Sequence, residues 1–387
     1  MKNSLQPIIY RSGYAGLYLH FPFCIHKCSY CDFYSVGIGK NNTPDQKSLF
    51  DNYKKEFNKR LELDPTIQKY TFDTIFIGGG TPSLANLDLL AEILEYIKSK
   101  LIFSEDTEFT MEMNPEDISP EKLSIMHSIG VNRVNAGIQS FHKSLLTTLD
   151  RYNDEKKYSQ VLNHLSSSKI KRFGIDLMYG IPGQTLEMFL LDLKKSLDAR
   201  VTHISLYSLT VEKGTEYAKQ VKKKLAKPPN EDLQLEILEI LPSFLGEKGY
   251  RQYEVSNYCR EGEESRHNLK YWTMEKYLSL GPGAHGFTDN GRYFNNRSIE
   301  KYNSGEFGKD YEEPKLLEEL ALCLFRLFIP FDLNSFSILI TEKKSALEKL
   351  IQTWVKSGFC VYENGIFQWK IHAVTRLDEF ILEISEL

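Results

Sequence analysis

Six times in its first half the chain alternates a short β-like run with a longer helical one, and no other property of the sequence narrows its possible folds as far. Runs rich in β-branched and aromatic residues at Gly16 to Phe21, Asp73 to Ile77, Glu108 to Met113, Val131 to Gly137, Arg172 to Met178 and His203 to Leu206 read as strands. Helical patterns fill 46–63, 84–100, 119–129, 142–150 with 155–167, and 185–199. Leu90, Ile93, Leu94 and Ile97 carry the i, i+3, i+4, i+7 spacing of a buried helix face. Strand, helix, strand implies parallel pairing with crossovers of one hand, so the expected fold is α/β, an incomplete (β/α)6 barrel. After Gly214 the alternation stops. Residues 231–249 read as a helix interrupted at Pro242, and from 313 the chain is helical apart from a short hairpin around Glu363, Asn364 and Gly365. The expected organisation is a barrel core over 1–215, a connecting region over 216–312 and a smaller helix-rich C-terminal domain over 313–387, a chain of 387 residues being long enough for more than one core.

In β/α barrels chemistry collects at the C-terminal ends of the strands, and the unusual residues of this chain fall there. A cysteine-bearing loop follows the first strand, GGGTPS (Gly78 to Ser83) the second, and EMNP (Glu112 to Pro115) ends the third. Gln139 follows the fourth, Asp176 lies near the end of the fifth with YGIPGQT just after it, and Thr210 follows the sixth.

The cysteine loop, HFPFCIHKCSYCDFYS, places Cys24, Cys28 and Cys31 in a C-x3-C-x2-C spacing. Four thiolates satisfy a [4Fe-4S] cluster, so three leave one iron open to a small chelating ligand. A structural zinc site needs four ligands, and the nearby additions are only His20, His26 and Asp32. A disulfide framework fits less well, because six cysteines in 387 residues are sparse and no signal peptide is read at the N-terminus. Cys259, Cys323 and Cys360 stand alone and read as reduced, partly buried thiols, and the expected compartment is the cytoplasm. A formal net charge of −4 gives no basic footprint for nucleic acid, the run Lys222, Lys223, Lys224 reading as a solvated face. No apolar stretch approaches the length of a membrane span.

The cysteine signature resembles that of the radical S-adenosylmethionine (SAM) superfamily, whose open iron is chelated by SAM and whose reduced cluster cleaves it. Over about residues 15–290 the segments YLHFPFC, GGGTPS, ExNP, GIQSF, DLMYGIPGQT and HISLYSLTVEKGT are similar to the oxygen-independent coproporphyrinogen III oxidase group within it. That resemblance implies cofactor contacts at Tyr18, Tyr30, Gly79, Gly80, Thr81, Glu112, Gln139, Arg151, Asp176 and Thr210, some of which serve a second SAM in the oxidases. One departure bears on activity. Phe33 stands where the oxidases carry a further cysteine, which argues against the radical decarboxylation of coproporphyrinogen III, the alternative function. The stretch HNLKYW (His267 to Trp272) is similar to the H-N-x-x-Y-W signature of the HemW-type haem chaperones. It implies haem as ligand, an acceptor protein for that haem, and an electron donor if SAM is cleaved. By chemistry alone His267 is either an axial ligand, with Tyr271 and Trp272 against a porphyrin face, or a satisfied histidine in an aromatic cluster. His285 is a weaker haem ligand by the same reasoning, and no residue is assigned a catalytic role.

Overall fold

The computed structural model describes residues 6–151, 155–308, 311–340 and 343–387. The chain packs as two compact units: Gly13–Gln234 with Lys276–Glu312, and a smaller one of Met1–Ser12, Leu235–Glu275 and Glu313–Leu387. The stretch 216–312, expected as one connector, is therefore shared between them.

In the larger unit six strands follow the expected alternation: β1 (Tyr14–Phe21), β2 (Thr71–Gly79), β3 (Ile102–Met113), β4 (Arg133–Gln139), β5 (Arg172–Tyr179) and β6 (His203–Ser208). Each pairs in parallel with the next, forming the incomplete (β/α)6 barrel. Their near-continuous burial, as in Ala15–Leu17 and His20–Phe21 of β1, is what a parallel strand covered on both faces requires. The crossovers are α1 (Gln46–Leu63), α2 (Leu87–Lys98), α3 (Pro120–Ser128), α4 (Lys143–Thr148) with α5 (Glu155–Ser167), and α6 (Leu186–Asp198). Asp45, Asn86, Ser119 and Thr185 cap α1, α2, α3 and α6 by accepting from first-turn amides. The buried face of α2 is Leu90, Ile93, Leu94 and Ile97. Because all six strands run one way, the cysteine loop, GGGTPS, EMNP, Gln139, YGIPGQT and Thr210 lie on one rim.

Three further strands were not expected. β7 (Lys276–Leu280) adds in parallel to the free edge of β1, in register from Ala15 with Lys276 to Leu19 with Leu280. β8 (His285–Thr288) and β9 (Gly291–Phe294) follow antiparallel. They cover an edge that an open barrel would leave unpaired. A buried network ties them to α1. The Glu56 carboxylate accepts from the Gly281 amide at 3.0 Å, from Tyr302 at 2.7 Å, from Asn295 at 2.7 Å and from Arg60 at 3.3 Å. Arg60 also donates to Asn295 at 2.8 Å and lies 3.8 Å over the Tyr293 ring. The charge is buried only because every lone pair is met.

The smaller unit holds a hairpin of Arg251–Glu254 with Asn257–Cys259, the short helix Arg266–Trp272 and three longer helices, Leu316–Cys323, Lys344–Lys356 and Leu377–Ser385. The expected hairpin is present as Cys360–Glu363 with Ile366–Trp369, joined through Asn364 and Gly365 at φ 52° and 85°, the left-handed pair that a tight hairpin turn requires. Its core is aromatic, with Trp369 against Phe367 at 4.7 Å and against Phe380 at 4.9 Å. One element differs from expectation: the helix Glu231–Gly246 runs through Pro242 without the interruption expected there, and it ends short of 249.

Candidate metal centre

The loop after β1 is closed by a two-residue ladder, Phe23–Cys24 parallel to Val36–Gly37, so its three cysteines are held by backbone hydrogen bonds. All three thiols are free, Cys24 buried and Cys28 and Cys31 half-buried. Burial pushes the Cys31 thiol up to about 11, with Cys28 and Cys24 adding to the shift. Burial also raises Cys28, against a pull from the Arg151 guanidinium. The Cys28 and Cys31 thiols, raised in this way, are ones that a metal would deprotonate outright on binding. Among the described residues no three His, Cys, Asp or Glu side chains are grouped closely enough to hold one metal ion. The extra zinc ligands are also engaged elsewhere: His26 with Asp150 at 3.1 Å, and Asp32 with Arg297 at 3.5 Å. A [4Fe-4S] cluster, taking each thiolate at a different iron, asks for separated sulfurs and fits three cysteines on one loop.

Two side chains from different loops reach the thiols. The Thr81 hydroxyl donates to Cys24 Sγ at 3.3 Å, and Arg151 Nη1 approaches Cys28 Sγ at 3.8 Å. Between them sits Asn114, whose Nδ2 donates to Thr81 Oγ1 at 3.2 Å and whose Oδ1 accepts from Arg151 Nη2 at 3.1 Å. Arg151 Nη2 also donates to the Gly137 carbonyl at 2.5 Å, and a Cβ at Gly137 would lie 3.2 Å from that nitrogen. Asn114 was not singled out in the sequence, although it stands inside the ExNP segment.

The glycine run lets the chain pass close to itself. Gly79 has φ 111°, and a Cβ there would meet the His20 ring at 2.6 Å, while a Cβ at Gly80 would meet the Phe23 carbonyl at 2.7 Å. The run is glycine so that the chain can pass its own neighbours. Its amides are engaged internally: Gly79 donates to Glu112 at 3.3 Å, Gly80 to Phe21 at 2.7 Å and Thr81 to Phe23 at 2.8 Å. His20 holds the adjoining segments together. Its Nε2 is 2.7 Å from the Tyr34 carbonyl, an acceptor only, so the proton sits there and Nδ1 accepts from the Tyr18 hydroxyl at 3.0 Å. Burial lowers its pKa to about 4, which keeps it neutral.

The acids of the rim are buried and close. Burial, with the neighbouring Asp176 carboxylate, raises Glu112 to about 8, and burial raises Asp176 to about 6 against a hydrogen bond from Ser205. Gln139 stands in the left-handed region, φ 65°, where the ladder from β4 to β5 shifts register. Tyr30 packs on the cluster of Leu145, Met178 and Tyr217. Thr210 is exposed and donates to Glu212 at 2.9 Å. A cavity of about 750 Å³ reaches Cys28, Asn114 and Arg151, and another of about 410 Å³ adjoins Cys28 and Cys31. Phe33 is 67% exposed.

In the smaller unit His267 is fully buried. Its Nε2 lies 2.9 Å from the Tyr271 hydroxyl, the rings meeting edge-on at 5.2 Å. In this state it is the satisfied histidine of an aromatic cluster. Cys259, Cys323 and Cys360 all belong to the smaller unit.

The model of the radical SAM superfamily matches residues 18–196. The chain is 33% identical over 382 residues to the heme chaperone HemW of Haemophilus influenzae, covering 96% of this chain and 97% of that one. It is 36% identical over 289 residues to HemW of Bacillus subtilis, covering 74% of each. Its fold matches the coproporphyrinogen III oxidase HemN from Escherichia coli with a TM-score of 0.80, at 20% identity and over 96% of this chain and 90% of that one. The six parallel strands, the three-thiol loop on their C-terminal rim and full-length identity above 30% have one reading: the chain belongs to the HemW family of radical SAM proteins.

Proposed function

We propose that this protein binds haem and passes it to an acceptor protein in the cytoplasm, on a barrel whose Cys24, Cys28 and Cys31 hold a [4Fe-4S] cluster with SAM at its open iron. The observation that carries the reading is a loop of three free thiols on the rim, Cys24 met by Thr81 and Cys28 by Arg151 with Asn114 between those two side chains, in a chain similar from end to end to HemW chaperones. Reduced by an electron donor, a cluster of this kind supplies the electron that cleaves bound SAM. The chain's own residues bind and orient. Glu112 and Asp176 suit a cationic ligand, because near neutral pH the pair carries close to one negative charge in a buried place. With Tyr18, Tyr30, Gly79, Gly80, Thr81, Gln139, Arg151 and Thr210 they make up the proposed SAM contacts, the amides of Gly79, Gly80 and Thr81 being already engaged within the protein. His267 is the proposed axial ligand of haem, which requires it to exchange the Tyr271 hydroxyl for iron.

Anaerobic protein with reconstituted cluster separates the readings. Haem titration should give a complex that a haem-free acceptor protein depletes, and His267→Ala should weaken it on the order of tenfold or more, as disturbing a metal's ligand environment does. Coproporphyrinogen III offered with SAM and a reductant should remain unchanged. Its conversion to protoporphyrinogen IX, without haem binding, would replace this function by that of the oxidase, against the departure at Phe33.

A further inference from the structure

We infer that Asn114 is a positioning residue that sets the reduction potential of the cluster, by aiming one hydrogen-bond donor at each of two cluster sulfurs. The inference rests on the cluster assignment above and adds a role for residues around it.

The chemistry of the five groups fixes every donor direction. Arginine has no acceptor, so the oxygen of the Asn114 amide must face Arg151 Nη2, at 3.1 Å. The amide nitrogen then faces Thr81 Oγ1, at 3.2 Å, and as a donor it occupies a lone pair of that hydroxyl. The hydroxyl proton is left to point at Cys24 Sγ, at 3.3 Å. On the other side Arg151 is anchored through Nη2 by Asn114 and by the Gly137 carbonyl at 2.5 Å, which turns Nη1 toward Cys28 Sγ at 3.8 Å. One amide thus orients a neutral donor on one thiol and a cation on another, from loops after β2, β3 and β4. Thr81 is 2% exposed and Cys24 8%, so the first of these bonds is shielded from water. Asn114 is itself held in place by Ser83, whose hydroxyl donates to Asp117 at 2.7 Å and accepts from the Asn114 amide at 3.5 Å.

Hydrogen bonds to the sulfurs are among the levers that set an iron–sulfur potential. One-electron reduction adds a negative charge to the cluster, and donors aimed at its thiolates stabilise that state more than the oxidised one. Losing them makes the potential more negative. Asn114→Asp keeps the shape but removes the donor: the carboxylate accepts the Thr81 hydroxyl proton, which turns away from Cys24. Thr81→Val removes the same donor without touching Asn114, and Thr81→Ser retains it.

The experiment is a dithionite titration of the reconstituted protein, followed by the electron-paramagnetic-resonance signal of the reduced cluster, with iron counted per chain. Asn114→Asp and Thr81→Val should each shift the reduction equilibrium tenfold or more toward the oxidised cluster, 59 mV for a one-electron couple. Thr81→Ser should titrate with the wild type. Unmoved potentials in Asn114→Asp and Thr81→Val with full iron content would overturn the inference, as would an equal shift in Thr81→Ser. Should Asn114→Asp fail to take up iron, the Thr81→Val and Thr81→Ser pair decides. A wild-type protein that binds no cluster would overturn the assignment beneath the inference, a result distinct from an unmoved potential.

Discussion

Glu112→Gln should stabilise the protein, and the gain should grow with pH. The carboxyl is raised from 4.5 to about 8 by burial and by the Asp176 carboxylate beside it. Between those two values the unfolded chain has lost the Glu112 proton while the folded chain keeps it. The folded state therefore binds one proton more, and stability falls as pH rises, by roughly 1.4 kcal/mol per pH unit. The penalty is absent below the unfolded pKa and complete above the folded one. Glutamine is near isosteric with the protonated carboxyl and can still accept from the Gly79 amide, the one backbone bond the carboxyl makes at 3.3 Å. The variant loses this pH dependence. Asp176, raised to about 6 by its own burial, contributes a slope of the same sign to both proteins and cancels to first order. Between pH 5.5 and pH 7.5 the difference in unfolding free energy between variant and wild type should widen by about 2 to 3 kcal/mol in favour of the variant. Urea unfolding at the two pH values, without SAM, measures it. A difference that is the same at both would show that Glu112 ionises normally in the folded chain and that the buried acid pair is misread.

Cys28→Ala should abolish the absorbance of the reconstituted cluster, whereas Cys360→Ala, whose thiol lies in the smaller unit and is pushed up to about 12 by burial, should leave iron content unchanged. Arg60→Met should destabilise the larger unit by about 3 kcal/mol, because it leaves the Glu56 carboxylate buried without its cation. Urea midpoints give the number, and a loss under about 1 kcal/mol would mean that Tyr302, Asn295 and the Gly281 amide suffice to hold that charge.

What the sequence reveals of this fold is what is local in it. The buried face of α2 is written within a dozen residues, and it appears where the spacing puts it. β7 to β9 are not written that way. Each is four or five residues long with no crossover helix behind it, and β7 becomes a strand only by pairing with β1 from the other end of the unit. The same division runs through the site. Three cysteines within eight residues identify the cysteine loop without reference to anything distant, while the hydrogen bonds that join Thr81, Asn114 and Arg151 appear only where the segments after β2, β3 and α4 meet. His267 shows the converse, since its residue type is compatible with haem ligation and only the packed chain reveals an imidazole fully buried against Tyr271.

The glycine run carries this one step further. Its residue type was legible as a place where backbone comes close to something, and the chain itself comes close there: His20 under Gly79, and the Phe23 carbonyl against Gly80. With the amides of Gly79, Gly80 and Thr81 all donating inside the protein, this rim has few backbone donors left to offer a ligand's carboxylate. Arg151 is the cation that stands beside Cys28. The guanidinium then has two claims on it, one from Asn114 and Gly137 and one from any anionic group that approaches the cluster. A residue so placed couples ligand binding to the electrostatics of the sulfurs, because whatever draws Arg151 away from Cys28 also changes the charge that the cluster feels.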